Sequence, residues 1–196
     1  MKILVAVASY LLGSVPTGYL LVRLSGNKDI RDFGSGGTGA TNVLRVKGWK
    51  VAIPVVVFDL LKGFLPVFLA SRWFTDPVFA ALCGFLAVLG HCFPFTIGFR
   101  GGKGVATSLG AFAVIGWAPC LASLGIFFIV LGLTRHVSLG SILGCVAFPV
   151  IILASGGPPA VAAIALATAA LVIFQHRANI GRLLRGTERN FGEKAS

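Results

Sequence analysis

Three short segments of the chain combine glycine, hydroxyl and basic side chains in patterns that could bind phosphate groups. They are GSGGTGATNVLR at 34–45, GFRGGKGVAT at 98–107 and HRANIGRLLRGTE at 176–188, named here the first, second and third motifs. Glycine lets consecutive backbone N–H groups converge on an anion, and arginine and lysine supply positive charge. The three motifs therefore predict a site for anionic substrates.

The first motif alternates glycine with hydroxyl side chains and ends on Arg45, whose guanidinium can hold a phosphate through two hydrogen bonds. A flexible linker would also be rich in glycine, but it has no reason to place hydroxyl groups between the glycines. We expect the following residues of this motif to contact substrate: Ser35, Gly36, Gly37, Thr41, Asn42 and Arg45.

Residues 34–39 also match the dinucleotide-binding pattern G-x-G-x-x-G, with Asp59 lying 20 residues beyond Gly39. That pattern requires a preceding strand within a βαβ unit. Here an apolar segment and a polar loop precede it, and Asp59 lies inside another apolar run. The sequence therefore argues against a dinucleotide site.

The second motif looks like a nucleotide-binding P-loop, but its spacing excludes one. Gly98 and Gly102 are four residues apart instead of five, and glycine follows Lys103 where the pattern requires Ser or Thr. The motif still places Lys103 and the N–H groups of Gly101 and Gly102 at the start of a predicted helix, which favours a phosphate there. Basic residues that only anchor the membrane face would explain Arg100 but not the glycines.

The third motif places His176 and Asn179 three residues apart, so that they share one face of a helix at the membrane edge. We predict that both contact substrate. Arg182 and Arg185 have the same spacing, but for them we favour a different role, in which an interfacial helix binds anionic lipid through both side chains. Ser141, three residues after another serine, could add a hydroxyl to the site.

The overall composition indicates an integral membrane protein. Of the 196 residues, 56% are hydrophobic and 12% charged, and the mean hydropathy is +0.92. A soluble domain carries about 25% charged residues, so the composition excludes a soluble enzyme, a disordered chain and an ordinary nucleic-acid-binding protein despite the net charge of +11. The four cysteines lack metal-ligand spacing and are predicted to be small buried hydrophobes. We expect no metal and no cofactor.

Apolar runs predict one polytopic all-α domain over residues 1–196 with seven transmembrane helices, some of them short. The apolar run 104–134 is too long for one crossing and breaks at the glycine and proline near 116–119. The first run is expected to be a retained span and not a cleaved signal peptide. The predicted spans are 3–22, 51–71, 77–99, 104–117, 118–134, 137–154 and 160–176.

The distribution of basic residues predicts the orientation. With seven spans, 14 of the 17 lysines and arginines (Lys194 included) lie on the side of the 25–50 loop, Lys2 and Arg72 lie on the other side, and Lys62 lies within the membrane. With six spans the split would be 8 to 8. The positive-inside rule therefore predicts an external N-terminus, a cytoplasmic C-terminus and all three motifs in the cytoplasm. Within the second span, Asp59 and Lys62 are expected to pair because they are three residues apart.

Taken together, the motifs GSGGTGATNVLR, GHCFPFTIGFRGGKGVATS and HRANIGRLLRGTE strongly resemble those of the bacterial acyl-phosphate:glycerol-3-phosphate acyltransferases. The resemblance covers almost the whole chain, from the first span to about Glu188. The family pattern usually has Asn at the position of Gly37 and often Pro at that of Thr38, so this chain departs from it there. By motif, the resemblance implies that these residues line the site: Ser35, Thr41, Arg45, Gly102, Lys103, Ser141, His176 and Asn179.

The resemblance implies transfer of a fatty acyl group from acyl-phosphate to the 1-hydroxyl of glycerol 3-phosphate, without a cofactor, at the cytoplasmic face of the inner membrane. We also expect membrane lipids as partners and no nucleic acid; the sequence does not determine the oligomeric state and is compatible with a monomer. Two bases are conceivable, His176 or a substrate phosphate, and we favour the phosphate because acyl-phosphate is already activated. A second hypothesis, a transporter for organic phosphates, would need a polar path across the bilayer and an internal repeat, and the sequence pattern indicates neither. A third hypothesis, an inert anchor or assembly protein, would leave the first motif unexplained.

Overall fold

The computed structural model describes residues 1–26 and 28–193, and the regular structure in these ranges is entirely helical. Lys194, which is included in the charge count above, and the last residues of the predicted domain lie outside the described residues. Two single-turn 3₁₀ helices lie at Ile30–Asp32 and Phe95–Ile97. The α-helices are α1 Lys2–Gly13, α2 Thr17–Leu24, α3 Ala40–Lys47, α4 Trp49–Trp73, α5 Pro77–Cys92, α6 Val105–Ile115, α7 Trp117–Thr134, α8 Val137–Ala154, α9 Pro159–Gln175 and α10 Arg177–Leu184.

The helices fit a multi-pass membrane protein, with a smaller number of full-length spans than the seven predicted. Five helical segments of the described chain are long and apolar enough to cross a membrane. The number rises to six if α9 and α10, which are bent by 62° relative to each other, are counted as one span. The predicted span 104–117 is the helix α6, which has 11 residues. At 1.5 Å per residue it extends about 16 Å, roughly half of a bilayer's hydrocarbon thickness.

The first span is interrupted at Ser14–Pro16, because proline cannot donate the backbone hydrogen bond that would continue the helix. Lys62 Nζ donates at 2.9 Å to the carbonyl of Val15, which also accepts the N–H of Thr17. The predicted ion pair is also present, with Lys62 Nζ 2.9 Å from Asp59 Oδ1 and both side chains buried. Thr17 Oγ1 donates to the same carboxylate oxygen at 2.5 Å. A buried charge pair thus stabilises the break between α1 and α2.

Small residues hold the short helix α6 tightly against α4. A methyl group on Gly63 of α4 would lie 2.0 Å from the carbonyl oxygen of Thr107, and one on Gly110 would lie 2.0 Å from that of Leu60. Only glycine permits this separation. The contact fixes the position of α6 and therefore of the second motif, whose last three residues are the first residues of α6.

The polar motifs collect at one end of the bundle. At the other end, Ile115, the last residue of α6, packs into an apolar cluster with Phe74 and Val5. Lys2 and Asp76 form an ion pair at 2.8 Å at that same end. Since α6 begins within the second motif, at Val105, and ends in this cluster, the motif end and the N-terminal end are opposite each other.

Candidate active site

All three motifs line one cavity of about 280 Å³ that enters the bundle from the motif end. The cavity wall includes ten of the twelve site residues predicted from sequence. They are Ser35, Gly37, Thr41, Asn42, Arg45, Gly102, Lys103, Ser141, His176 and Asn179. The other two, Gly36 and Gly101, are not part of the wall.

The side-chain amide of Asn42 stabilises the conformation of the first motif and is not free to bind a ligand in the cavity. Its Nδ2 group lies 2.9 Å from the carbonyl of Gly37 and 3.0 Å from that of Phe33. Its Oδ1 accepts the N–H of Ser35 at 2.9 Å. The N–H of Gly36 donates to the carbonyl of Phe33 at 3.1 Å. The amide of Asn42 and the N–H of Gly36, both predicted to bind substrate, are therefore used within the loop.

We expect the substitution Asn42→Ala to lower the free energy of unfolding by about 1–2 kcal/mol, because it leaves buried loop groups without partners. Thermal unfolding of the purified protein in detergent would measure the loss. Asn190→Ala is a matched control, since Asn190 makes a single exposed side-chain bond to Glu193. Equal stability of the two variants would contradict the assignment.

The glycines of the second motif are needed for close backbone contact, not as the predicted anion donors. The N–H of Gly101 donates to Cys92 and the N–H of Gly102 to His91, both at 3.1 Å. A methyl group on Gly101 would lie 2.1 Å from the carbonyl oxygen of His91, and one on Gly102 2.1 Å from its Nε2. The Gly101 carbonyl accepts the N–H of Thr38, a bond that proline at position 38 could not make. The motif is thus folded back onto the end of α5.

A chain of hydrogen bonds joins the second and third motifs through Glu188. Lys103 Nζ donates to Asn179 Oδ1 at 2.5 Å, and Asn179 Nδ2 donates to Glu188 Oε1 at 2.6 Å. Ser138 donates to the same oxygen at 2.8 Å, and Arg182 Nε contacts Glu188 Oε2 at 2.8 Å. Asn179 therefore fixes the ammonium of Lys103, and Glu188 fixes Asn179.

Glu188 was not predicted as a site residue, and Arg182 was assigned to lipid binding. The structure instead pairs Arg182 with Glu188, while Arg185 lies exposed on the outer surface. One signal in the sequence pointed to Glu188: the chain has only six acidic residues, and one of them lies within the third motif. An acidic side chain in so basic a segment indicates a specific cationic partner.

The cations at the cavity mouth are poorly solvated. Burial lowers the pKa of Lys103 to about 8, with the nearby Arg182 and Arg45 contributing in the same direction. Burial also lowers the pKa of the Arg45 guanidinium, which forms no salt bridge within the described part of the chain. Burial alone would raise the pKa of Glu188, but hydrogen bonds from Asn179, Ser138 and Arg182 hold it below its ordinary value. Neutralising these cations with an anionic ligand is therefore favourable.

His176 is buried at the junction of α9 and α10, and its ring forms part of the cavity wall. Its Nδ1 lies 2.8 Å from the carbonyl of Val172. Because a carbonyl only accepts, Nδ1 carries the proton, and Nε2 of the neutral ring has its lone pair available. Ser141 donates to the carbonyl of Val137 at 2.8 Å, so only the lone pairs of its oxygen remain for a ligand.

Beyond the polar mouth, the cavity continues between α6, α7, α8 and α9 with apolar walls. Most of their side chains are aliphatic or aromatic, interrupted by small residues that leave room between the helices. Ser123 and Thr168 also line this part, but their hydroxyls donate to carbonyls of their own helices. The wall there includes Leu109, Phe112, Leu124, Phe127, Gly144, Phe148, Ala165 and Ala169. A cationic mouth with an apolar interior is complementary to an anionic group joined to a hydrocarbon chain.

Comparison with known proteins identifies relatives that match almost the whole length of the chain. The family model described as glycerol-3-phosphate acyltransferase matches residues 3–186. The glycerol-3-phosphate acyltransferase of Geobacter sulfurreducens is 46% identical over 190 residues, 96% of each chain. That of Brucella anthropi is 45% identical over 188 residues, 96% of this chain and 92% of its own.

Two solved structures share the fold. The crystal structure of PlsY (YgiH), an integral membrane glycerol 3-phosphate acyltransferase, in its glycerol 3-phosphate form has a TM-score of 0.94 at 38% identity, covering 97% of this chain and 96% of that one. The lysophosphatidic acid form of PlsY gives a TM-score of 0.91. With the family model and the relatives, these matches show that the chain is an integral membrane protein of the glycerol-3-phosphate acyltransferase family.

Proposed function

We propose that the protein transfers a fatty acyl group from acyl-phosphate to the 1-hydroxyl of glycerol 3-phosphate, forming lysophosphatidic acid and phosphate. One observation carries the proposal: Lys103 and Arg45 lie at the mouth of a cavity whose interior is apolar. Two phosphate-bearing substrates need two cationic groups, and an acyl chain needs an apolar space beside them. The family to which the chain belongs and the solved relatives support this choice.

In the proposed reaction, the glycerol hydroxyl oxygen attacks the acyl carbon. An ester bond forms, the bond between the acyl carbon and the phosphate oxygen breaks, and phosphate leaves. Lys103 and Arg45 bind the phosphate groups, and the hydroxyls of Ser35 and Thr41, which make no hydrogen bond among the described residues, are donors for them. Asn179 and Asn42 act as positioning residues, because their amides are bonded to Lys103 and to the first motif.

We infer that a substrate phosphate accepts the hydroxyl proton. The carboxylates near the cavity are already committed, Glu188 to hydrogen bonds from three side chains and Asp59 to the pair with Lys62. A phosphate monoester has its second pKa near 6 and is a suitable acceptor. His176 Nε2 then binds glycerol 3-phosphate without taking its proton. Positioning and electrostatic stabilisation suffice for an activated donor.

An assay with purified protein, acyl-phosphate and labelled glycerol 3-phosphate tests the function. We expect lysophosphatidic acid and inorganic phosphate to appear in equal amounts. Omitting either substrate is the control. If both products are absent while proteoliposomes take up glycerol 3-phosphate, the protein is a transporter and the proposal is wrong.

We further propose that residues 1–196 form one domain with seven spans in the inner membrane, the N-terminus outside and the site in the cytoplasm. The short α6 supports the seventh crossing, because it connects the motif end to the opposite end of the bundle. Cysteine substitutions at the exposed residues Ser25 and Ser155 test the orientation, since the two residues lie on opposite sides in this topology.

In intact cells, we expect an impermeant thiol reagent to label Ser155→Cys and to label Ser25→Cys only after the membrane is permeabilised. The unsubstituted protein is the control, because its four cysteines are at least partly buried. Labelling of Ser25→Cys from outside would place the motifs in the wrong compartment for acyl-phosphate.

A further inference from the structure

The apolar part of the cavity ends at the same depth on four helices. The last wall residue on each helix, counted away from the motif end, is Phe112 of α6, Cys120 of α7, Phe148 of α8 and Ala165 of α9. One turn further on, Ile152 packs against these side chains in a single buried cluster and is not part of the wall. The cavity is therefore closed there by packed side chains.

Two aromatic rings form the centre of this floor. Phe112 and Phe148 are each only 5% exposed, and their ring centroids lie 4.8 Å apart. The aromatic contact holds both rings in place, so that neither can turn aside without losing it. A hydrocarbon chain that reaches this depth meets a rigid obstacle, unlike the small side chains of Gly144 and Ala169 along the walls.

The depth of the cavity corresponds to an acyl chain of ordinary length. Wall residues of α8 run from Val137 to Phe148, eleven steps of 1.5 Å or about 16 Å. Carbon–carbon bonds of about 1.5 Å in an extended zigzag advance about 1.25 Å per carbon, so this depth holds about 13 carbons. The floor is thus within reach of the end of a fatty acyl chain whose carboxyl group lies at the mouth.

We propose that Phe112 and Phe148 are specificity-determining residues that limit the length of the acyl chain. The assignment rests on the proposed function, because it takes the occupant of the apolar cavity to be the acyl group of the donor. Removing a floor ring extends the cavity toward Ile152 and favours longer donors. Adding bulk at Ala165 raises the floor and favours shorter ones.

The test compares kcat/KM for donors with 12, 14, 16 and 18 carbons. We expect Phe148→Ala to raise the ratio of 18-carbon to 14-carbon activity at least about tenfold, since each methylene that a pocket accepts or rejects changes the rate by about that factor or more. Ala165→Leu should lower the same ratio. Phe112→Leu is a milder enlargement that keeps the core filled if Phe148→Ala does not fold.

Val150→Ala is the matched control, because Val150 lies on α8 near Phe148 but is 59% exposed on the outer face. We expect it to leave the ratio unchanged. Folded variants that change the floor in both directions without moving the ratio would overturn the assignment while leaving the proposed function intact. Failure of the unsubstituted protein to transfer any acyl chain would overturn both.

Discussion

Replacing Lys103 by alanine is expected to lower kcat/KM for glycerol 3-phosphate acylation by roughly 30- to 1,000-fold, or about 2–4 kcal/mol of transition-state stabilisation. The ammonium is half-buried at the cavity mouth and held by Asn179, so we expect it to bind a phosphate at little cost in reorganisation. Arg45→Ala should have an effect of similar size, since Arg45 forms no ion pair within the described part of the chain. Steady-state kinetics with both substrates varied would measure each loss.

Two variants separate specific binding from charge alone. Arg45→Lys should restore only part of the activity, because an ammonium lacks the two-pronged geometry of guanidinium. Lys28→Ala removes an exposed cation outside the cavity and should retain the activity of the unsubstituted protein. Near-normal activity of both Lys103→Ala and Arg45→Ala would show that these residues only orient the protein in the membrane.

The pH dependence of kcat/KM provides an independent check on Lys103. Its pKa is lowered to about 8, so the ammonium that we propose to bind phosphate is present below that pH and is lost as the pH rises through it. We expect activity to decline above about pH 8 for this reason. In Lys103→Arg the decline should move to higher pH even if the maximal activity falls, because guanidinium stays charged. An unchanged alkaline limb in Lys103→Arg would assign the decline to another group.

Replacing His176 by asparagine is expected to raise KM for glycerol 3-phosphate about 10- to 100-fold and to preserve most of kcat. Its Nδ1 is bonded to Val172, which leaves Nε2 as the atom that can contact substrate. A lost hydrogen bond to a charged ligand costs about 1.5–3 kcal/mol, and a group that only binds the ground state changes mainly KM. Initial rates over a wide range of glycerol 3-phosphate concentrations separate the two parameters.

A general base would behave differently. Such a group contributes about 10² to 10⁴ in rate, mainly in kcat. A fall of about three decades in kcat of His176→Asn at saturating substrate, with KM unchanged, would make His176 the base and refute proton transfer to the phosphate. Ser141→Ala is a useful comparison, since its hydroxyl donates within α8 and its removal should affect both parameters only slightly.

Much of the architecture was predictable from sequence because its causes are local. Hydropathy alone predicted a helical membrane protein, and helical spacing predicted the pair between Asp59 and Lys62, which the structure confirms. The motifs contain their glycines and cations within a few residues of each other, so the family could be recognised from them. Ten of the twelve predicted site residues line one cavity, although only folding brings the three motifs together there.

Tertiary structure decided which groups bond to each other within the site. Lys103 bonds to Asn179, 76 positions away, and Asn179 to Glu188, so neither contact leaves a periodic pattern in the sequence. The glycine N–H groups looked available for an anion, but Gly101 and Gly102 donate to the end of α5, which folding brings beside them. A sequence shows which groups can form hydrogen bonds. Which groups are already bonded, and which stay free for substrate, depends on chain segments that meet only in the folded bundle.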